Sequence, residues 1–333
     1  MKGYLGIDVG AATTKFALLD AGGALVRKLY LPTQGNPVAM VAQGLRRLRE
    51  EIPAGMGIGG VATTGSARSI AGAMVGADTV KNEITCHARG ALHALPEAQT
   101  VVEIGGQDSK MIILRGGMVS DFGMNTVCAA GTGSFLEHQA RRLNLSLEDF
   151  SEQALRSRHP ARIHARCTVF AESDMVHQQQ TGRAVADIIY GLCRTLVGNY
   201  LHDVGRGKEL LPPVVFQGGV AFNRGIVRAL EEALETPVVV PAHHEVSGAI
   251  GAALLVREEM LNNKGRDSGF RGFAAGDDDY RMETVTCREC PAQCEIEQLS
   301  AGTLTLGSWG GRCEAYGGER NAGKLEECHD YCR

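Results

Sequence analysis

The sequence predicts an α/β protein in which one domain plan occurs twice, followed by a small cysteine-rich module. Short apolar strands alternate with glycine turns and helix-like segments, the plan of the first strands recurs about a hundred residues later, and six of the ten cysteines lie in the last 47 residues. A chain of 333 residues with 43 glycines is long enough for two sizeable cores.

The chain opens with three predicted strands. They cover residues 4–8, 15–20 and 24–31, and they are joined by a Gly/Ala/Thr turn over 9–14 and by the Gly22-Gly23 turn. This segment therefore predicts two consecutive hairpins.

The same plan recurs from about Thr100. In both copies an acidic residue ends an apolar strand, a glycine follows two residues later, and a lysine lies seven residues after the acid. The matched positions are Asp8 with Glu103, Gly10 with Gly105, Lys15 with Lys110, and Gly22-Gly23 with Gly116-Gly117. So many matched positions predict a duplicated domain.

The two acid–glycine–lysine hairpins, one from each copy of the repeat, are suited to holding a polyphosphate in a cleft between them. Glycines let backbone N–H groups approach phosphate oxygens, hydroxyls donate further bonds, and lysines supply charge. Asp8, Glu103 and Asp108 are the predicted catalytic residues, which hold Mg²⁺ largely through its waters. The predicted phosphate-binding residues are Gly10, Ala11, Ala12, Thr13, Thr14 and Lys15 in the first copy and Gly105, Gly106, Gln107, Ser109 and Lys110 in the second. Either hairpin alone is equally typical of an ordinary turn; the duplication favours the binding site.

Two further segments are rich in small residues. In FQGGVAFNRG a strand over 213–216 leads through two glycines into a helix from about Asn223, a backbone suited to packing against adenosine. The predicted contacts are Gly218, Gly219, Val220 and Ala221. In SGAIGAALL small residues recur at helical spacing, which is equally consistent with close helix packing and with a pivot between domains.

Several classes of protein are excluded by composition and by missing motifs. The formal net charge of −4 gives no basic surface for nucleic acid or an anionic membrane. We found neither a signal-like segment nor a run of about 20 apolar residues, so a cytoplasmic protein is expected. GMGIGG over 55–60 precedes a predicted strand instead of the helix that a dinucleotide site needs, and no P-loop motif occurs.

Two distant cysteines each precede a predicted helix. Cys128 lies in NTVCAAGTGSF and Cys167 in ARCTVFAESD. Free N–H groups and the positive dipole end at a helix N-terminus favour negative charge, and hence a thiolate ligand. Burial of both cysteines as small apolar side chains would explain neither their flanking motifs nor their position.

The motifs GIDVGAATTK, EIGGQDSK, CAAGTGSF, ARCTVFAESD, QGGVAFN and GAIGAA resemble, in order and spacing, the BadF/BadG/BcrA/BcrD-type ATPases. These are the ATP-dependent activators of 2-hydroxyacyl-CoA dehydratases and the ATPase subunits of benzoyl-CoA reductase. The resemblance covers roughly residues 3–260 and implies duplicated actin-like (ribonuclease H-like) ATPase domains. The first would span 1–95, completed by a helix over 246–262, and the second 96–245.

The resemblance also implies how such a protein works. It implies a homodimer that binds ATP and Mg²⁺ and holds one [4Fe-4S] cluster at its interface through Cys128 and Cys167 of each copy. A ferredoxin or flavodoxin would donate the electron, and a 2-hydroxyacyl-CoA dehydratase or related reductase would accept it. ATP binding would close the domains and expose the cluster. Gly131 and Glu245 would belong to the nucleotide site, and Glu83 could position the hydrolytic water.

The sequence departs from this family at two places. Ala11 and Ala12 stand where relatives usually carry hydroxyls, so two phosphate donors are missing. Glu245 stands where relatives commonly have an amide, which leaves its contact with the nucleoside open.

The last part of the chain poses a separate question. A polar, Gly- and Asp-rich stretch over 263–283 predicts a linker, and the cysteine-rich segment 284–333 predicts a metal site. Its expected ligands are Cys287, Cys290, Cys294 and Cys313, which suit a second iron–sulfur cluster or zinc. Cys328 and Cys332 receive no role.

Two alternative functions fit the nucleotide motifs. A small-molecule kinase of the same superfamily, such as an amino-sugar kinase, would bind an acceptor hydroxyl in the cleft but has no use for paired cysteines at helix starts. A non-catalytic nucleotide-sensing scaffold would bind ATP without turnover.

Overall fold

The computed structural model describes residues 2–125, 128–164, 167–263, 265–288 and 291–312. The chain divides into two compact units. Among the described residues, the first unit comprises those of 1–10, 14–82 and 252–312, and the second those of 11–13 and 83–251.

The first unit is built on a five-stranded sheet of order β3-β2-β1-β4-β5. Its strands are β1 (Lys2–Val9), β2 (Thr13–Leu19), β3 (Leu25–Pro32), β4 (Gly57–Thr64) and β5 (Thr79–Val80), with helices α1 (Pro37–Glu51) and α2 (Arg68–Val75) between them. β1 pairs antiparallel with β2 and parallel with β4. The strands predicted over 4–8, 15–20 and 24–31 are thus confirmed.

The second unit has a five-stranded sheet of order β10-β9-β6-β7-β8. Its strands are β6 (Thr100–Ile104), β7 (Ser109–Arg115), β8 (Met118–Asn125), β9 (Val214–Gln217) and β10 (Val238–Val239). Its helices are α3 (Glu83–Ala94), α4 (Gly133–Arg142), α5 (Leu147–Leu155), α6 (Thr168–Gln180), α7 (Val185–Val204) and α8 (Arg224–Leu234); α9 (Ser247–Asn262) starts here and ends among residues of the first unit.

The two sheets have the same topology. Read from the first strand of each unit, β1, β2, β3, β4 and β5 occupy the places of β6, β7, β8, β9 and β10. In both, an antiparallel hairpin starts at the central strand, whose other neighbour is parallel and follows after a helical connection. The predicted duplicated α/β fold is therefore confirmed.

Burial explains why the central strands form. Seven of the eight β1 residues are buried, as expected for a strand covered on both faces. The outer strand β3 instead alternates over its second half, burying Leu29 and Leu31 while Tyr30 and Pro32 are exposed.

A third, smaller sheet follows α9. Strands β11 (Tyr280–Thr286), β12 (Glu295–Ala301) and β13 (Leu304–Trp309) form an antiparallel meander. Leu299 is fully buried in the core of the first unit. The predicted linker 263–283 contains packed structure, since the Arg271 guanidinium donates to the Met74 carbonyl at 2.9 Å. This extension is thus part of the first unit.

We also searched the described helices for a membrane span. None of them combines the length and the apolar character that crossing a bilayer requires.

Candidate functional site

The first hairpin brings an acid and a lysine face to face. Asp8 and Lys15 are cross-strand partners on β1 and β2, and the Lys15 ammonium lies 3.0 Å from Asp8 Oδ2. Asp8 is buried, and Lys15 is 15% exposed. The acid and the lysine that recur seven residues apart are therefore cross-strand partners beside the glycine turn.

The predicted phosphate donors of this hairpin differ in availability. Thr33 Oγ1 donates to the Gly10 carbonyl at 2.8 Å, so the Thr14 hydroxyl donates to Thr33 Oγ1 at 2.9 Å. Thr14 is fully buried, whereas Thr13 is only half-buried. The hydroxyl hydrogen of Thr14 is thus used within the first unit, and Thr13 is the better placed donor.

The second hairpin surrounds its lysine with acids. Lys110 Nζ lies 2.7 Å from Glu83, 3.2 Å from Glu103 and 2.9 Å from Asp108, and Lys110 is 2% exposed. Burial alone would lower the pKa of Lys110, but the charges of Glu103, Glu83 and Asp108 outweigh it and raise the pKa well above its ordinary range. The Lys110 ammonium is therefore charged throughout the physiological range.

Two neighbours of Lys110 complete this cluster. The Tyr200 hydroxyl donates to the Lys110 carbonyl at 2.8 Å. Ser109 is fully buried, and its Oγ has no hydrogen-bond partner among the residues that the structure describes. Ser109 is thus not exposed as the phosphate donor that the sequence predicted, and only Gln107 of this turn is exposed.

The turn of the second hairpin is bonded to the start of α4. The Gly133 N–H donates to the Gly105 carbonyl and the Ser134 N–H to the Gly106 carbonyl, both at 2.8 Å. The first N–H groups of α4 are therefore used by the hairpin. Cys128 lies five residues before α4. The Gly133 and Ser134 N–H groups are therefore not available to its thiol.

The two cysteines lie at different kinds of helix start. Cys167 directly precedes α6, is exposed, and has no side-chain cap at that end. Cys128 is also exposed but precedes a three-residue 3-10 turn, Ala129–Gly131, and its N–H donates to Asn125 Oδ1 at 3.0 Å. The prediction of an α-helix starting at the cysteine is confirmed for Cys167 and wrong for Cys128.

Gly131 packs against α7 without requiring glycine. A Cβ there would lie 3.4 Å from the Tyr200 backbone, which is an ordinary contact distance. A nucleotide contact of Gly131 stays a prediction.

The predicted nucleoside segment forms a bare turn between β9 and α8. Gly218 has φ 95°, and a Cβ there would overlap the Ile104 carbonyl oxygen, so only glycine fits. Residues Gly219–Phe222 form a 3-10 turn that includes the predicted Val220 and Ala221. Phe222 is 63% exposed and contacts the His244 ring edge to face at 4.3 Å.

The structure brings Glu245 near this turn. His244 Nδ1 bonds the Gly218 carbonyl at 2.9 Å, and Glu245, the next residue, is buried in the same 3-10 turn, His244–Val246. Sequence reasoning missed His244 and Phe222; PAHHEV, with two adjacent histidines before the small-residue helix, was the available signal.

A buried polar network lies between α3 and β9. Gln217 Nε2 is 3.0 Å from His87 Nδ1, and the Ser247 hydroxyl donates to Gln217 Oε1. All three side chains are buried. His87 is therefore a packed core histidine.

The structure describes two of the predicted tail ligands. Cys287 and Cys294 are partly buried, and the Cys287 N–H donates to the Cys294 carbonyl at 2.8 Å across the β11–β12 connection. Cys290 and Cys313 lie outside the described residues, as do Cys328 and Cys332. Among described residues no three His, Cys, Asp or Glu side chains come together as a metal site, so the tail site stays a prediction.

The duplicated topology and the paired acid-lysine hairpins define a protein of the actin-like ATPase class. Residues 5–256 match the model of the BadF/BadG/BcrA/BcrD ATPase family, and the chain belongs to that family. The family match ends before the β11–β13 sheet, which is therefore an addition to the ATPase module.

Relatives with named activities share most of this module. The activator of lactoyl-CoA dehydratase from Anaerotignum propionicum is 36% identical over 264 residues, 76% of this chain and 97% of that protein. Component A of (R)-2-hydroxyglutaryl-CoA dehydratase from Acidaminococcus fermentans superposes with a TM-score of 0.72 at 33% identity, covering 78% of this chain and all of that one. The ADPNP-bound activator of 2-hydroxyisocaproyl-CoA dehydratase from Clostridium difficile gives a TM-score of 0.70 at 30% identity, covering 78% of this chain and 96% of the other.

Proposed function

We propose that two copies of this ATPase hold one [4Fe-4S] cluster through Cys128 and Cys167 of each copy. ATP hydrolysis then drives the transfer of an electron, supplied by a ferredoxin or flavodoxin, to a 2-hydroxyacyl-CoA dehydratase or related reductase. The observation that carries the proposal is the exposure of both cysteines, Cys167 at the start of α6 and Cys128 before a 3-10 turn, in a family with named dehydratase activators.

The cysteines fit such a cluster as a donor set. Thiolates are the usual ligands of iron–sulfur clusters, and a four-iron cluster takes about four of them, so two exposed thiols per chain are half a set. When bound, the cluster supplies one-electron chemistry at low potential. Cys167 lies at the positive end of the α6 dipole, which suits a negatively charged cluster bound there.

The surface beside Cys167 supports a shared site. Val169 and Phe170, in the first turn of α6, are 69% and 65% exposed. Two adjacent large apolar side chains at that exposure favour burial against another protein surface. A second copy covering them would also keep water away from the cysteine thiolates.

Each hairpin has the chemistry to act on the triphosphate. The glycine turns let backbone N–H groups approach phosphate oxygens, and Lys15 and Lys110 keep two positive charges near them. Asp8, Glu103 and Asp108 supply oxygen donors that suit Mg²⁺ bound through its waters. Glu83 is already bound to Lys110, which favours a role in fixing that lysine.

The second unit also offers a path from nucleotide to cysteine. The carbonyls of Gly105 and Gly106, in the hairpin turn, accept from the first N–H groups of α4. A change of this turn on ATP hydrolysis would therefore move α4 and the Cys128 segment that precedes it.

The proposal is tested by replacing the ligands one at a time. Cys128→Ser and Cys167→Ser should each abolish iron–sulfur absorbance and ATP-dependent reduction of an added dehydratase, while ADPNP binding by calorimetry stays within about twofold of wild type. Cys193→Ala, at a buried cysteine outside both predicted metal sites, is the matched control and should retain electron delivery. Full electron delivery by Cys128→Ser would refute the proposal.

A further inference from the structure

A carboxylate on α6, the helix after Cys167, bonds to two side chains on α4, the helix after Cys128. Glu172 on α6 accepts from His138 of α4 at 2.7 Å through Oε2, and its Oε1 contacts the Arg142 guanidinium even more closely. His138 and Arg142 are four residues apart and so share one face of α4. One carboxylate thus binds two donors of the neighbouring helix.

The α4 end of this contact is fixed to the nucleotide hairpin. The Gly133 and Ser134 N–H groups donate to the Gly105 and Gly106 carbonyls at 2.8 Å. Since α4 is a continuous helix of ten residues, His138 keeps a fixed distance from that turn.

The α6 end of the contact lies close to Cys167. Glu172 follows Cys167 by five residues, between the cysteine and a second anchor, Asp174, whose Oδ2 accepts from the His164 N–H at 2.8 Å. Ala171 and Met175 bury the inner face of α6 in the core of the second unit. The apolar contacts hold α6 against the unit, and Glu172 fixes it relative to α4.

We propose that Glu172 is a positioning residue for the iron–sulfur ligands. It joins α6, which follows Cys167, to α4, which follows Cys128, so that the two thiols keep one spacing. This inference rests on the proposed function. Glu172 is 23% exposed and its partners His138 and Arg142 are 50% and 51% exposed, so water screens these bonds in part and their main contribution is to geometry. Groups that orient metal ligands typically contribute about 10- to 100-fold to metal retention.

The test compares two acids that bond to α4. Glu172→Gln keeps the size of the side chain and removes the charge between helices; Glu137→Gln removes an equivalent charge that bonds Arg141 within α4 at 3.0 Å. In the full chain, release of iron to a colorimetric chelator should be about tenfold faster in Glu172→Gln and unchanged in Glu137→Gln. Arg142→Gln should also accelerate release, and Arg142→Lys, which keeps the charge, should restore it to within about twofold.

A second measurement does not depend on iron. Apo protein is treated with a short bis-maleimide, and the intrachain Cys128–Cys167 crosslink in the monomer band is quantified by mass spectrometry. Its yield should fall several-fold in Glu172→Gln and not in Glu137→Gln. Equal iron release and equal crosslinking in Glu172→Gln and wild type would overturn the inference, as would equal effects of both acid variants. Absence of iron in the wild type would refute the proposed function instead, and the crosslink would still decide the role of Glu172.

Discussion

The two hairpins share a cross-strand acid-lysine pair but differ in what surrounds the lysine. Lys15 lies 3.0 Å from Asp8 and is 15% exposed, whereas Lys110 is 2% exposed and lies within 3.2 Å of three carboxylates. Only the second hairpin belongs to the unit that carries both cysteines. Both units thus keep the acid–lysine hairpin, while the second unit has joined its hairpin to α4, the helix that follows Cys128.

The largest expected effect is the difference in stability lost when each of the two lysines is replaced. Lys110→Met leaves Glu103 and Glu83 without their buried cation and should destabilise the protein by about 3–5 kcal/mol, against about 1–2 kcal/mol for Lys15→Met. Urea unfolding measures the stability of both variants. Faster hydrogen exchange should appear at β6–β7 in Lys110→Met and at β1–β2 in Lys15→Met. Equal losses would remove the distinction between the hairpins.

The pH dependence follows from the raised pKa of Lys110. Because a raised lysine pKa contributes stability fully below the ordinary value, near 10.5, the wild-type contribution should be constant between about pH 6 and pH 9 and be lost only at higher pH. Loss of stability in the wild type between pH 6 and 9 that Lys110→Met abolishes would contradict this assignment.

The next effect tests the extension that only the first unit has. Leu299→Ala on β12 removes a fully buried side chain and should cost about 3 kcal/mol, with faster hydrogen exchange confined to the first unit. Leu304→Ala on β13, where leucine is 60% exposed, is the matched control and should be nearly neutral. A neutral Leu299→Ala would show that the extension does not stabilise the ATPase core.

A smaller effect concerns helix packing in the second unit. A Cβ on Gly251 would overlap the Cys86 carbonyl oxygen where α9 crosses α3, so Gly251→Ala should destabilise by about 1–3 kcal/mol. Gly198→Ala on α7, where a Cβ meets no atom within 4 Å, should stabilise by up to about 1 kcal/mol through helix propensity. Thermal denaturation of both variants checks the sign, and a stabilising Gly251→Ala would contradict the close crossing.

The smallest expected effect is a pH-dependent change in stability from Asp187, which bonds to residues 157–159, upstream of Cys167. Asp187 Oδ1 accepts from the Ser157 hydroxyl at 2.7 Å and from the Arg158 and His159 N–H groups at 2.9 Å. Burial raises the pKa of Asp187, but these bonds outweigh it and leave the pKa below its ordinary range. Its contribution is therefore present above about pH 4 and lost as pH falls through the lowered pKa.

Asp187→Asn should accordingly be less stable than wild type at pH 7, and the gap should close in acid. Chemical denaturation at pH 7, 5 and 3 measures the gap. An equal gap at all three values would show that the carboxylate charge is not what holds residues 157–159.

The hairpins were predictable because local spacing determines them. An acid and a lysine seven residues apart around a glycine turn become cross-strand partners, so Asp8 with Lys15 and Glu103 with Lys110 follow from the sequence. The 3-10 turn after Cys128 was missed because AAG was read as the start of a helix that begins only at Gly133.

Contacts between distant residues were not predictable from one chain. Glu83 meets Lys110 and Glu172 meets His138 only after the helices pack, and no local pattern marks either partner. The packed segment 263–283 was predicted to be a linker because its composition is polar, although Phe270 and Phe273, which contact each other at 5.2 Å, were a signal for packing.

Iron and acid-labile sulfide, counted in the anaerobically purified protein with and without Cys167→Ser, decide whether two copies share a cluster. Loss of about four irons and four sulfides per two chains in the variant, with ADPNP binding preserved, is the predicted result. A variant with the same iron and sulfide as wild type would contradict a cluster shared through Cys128 and Cys167.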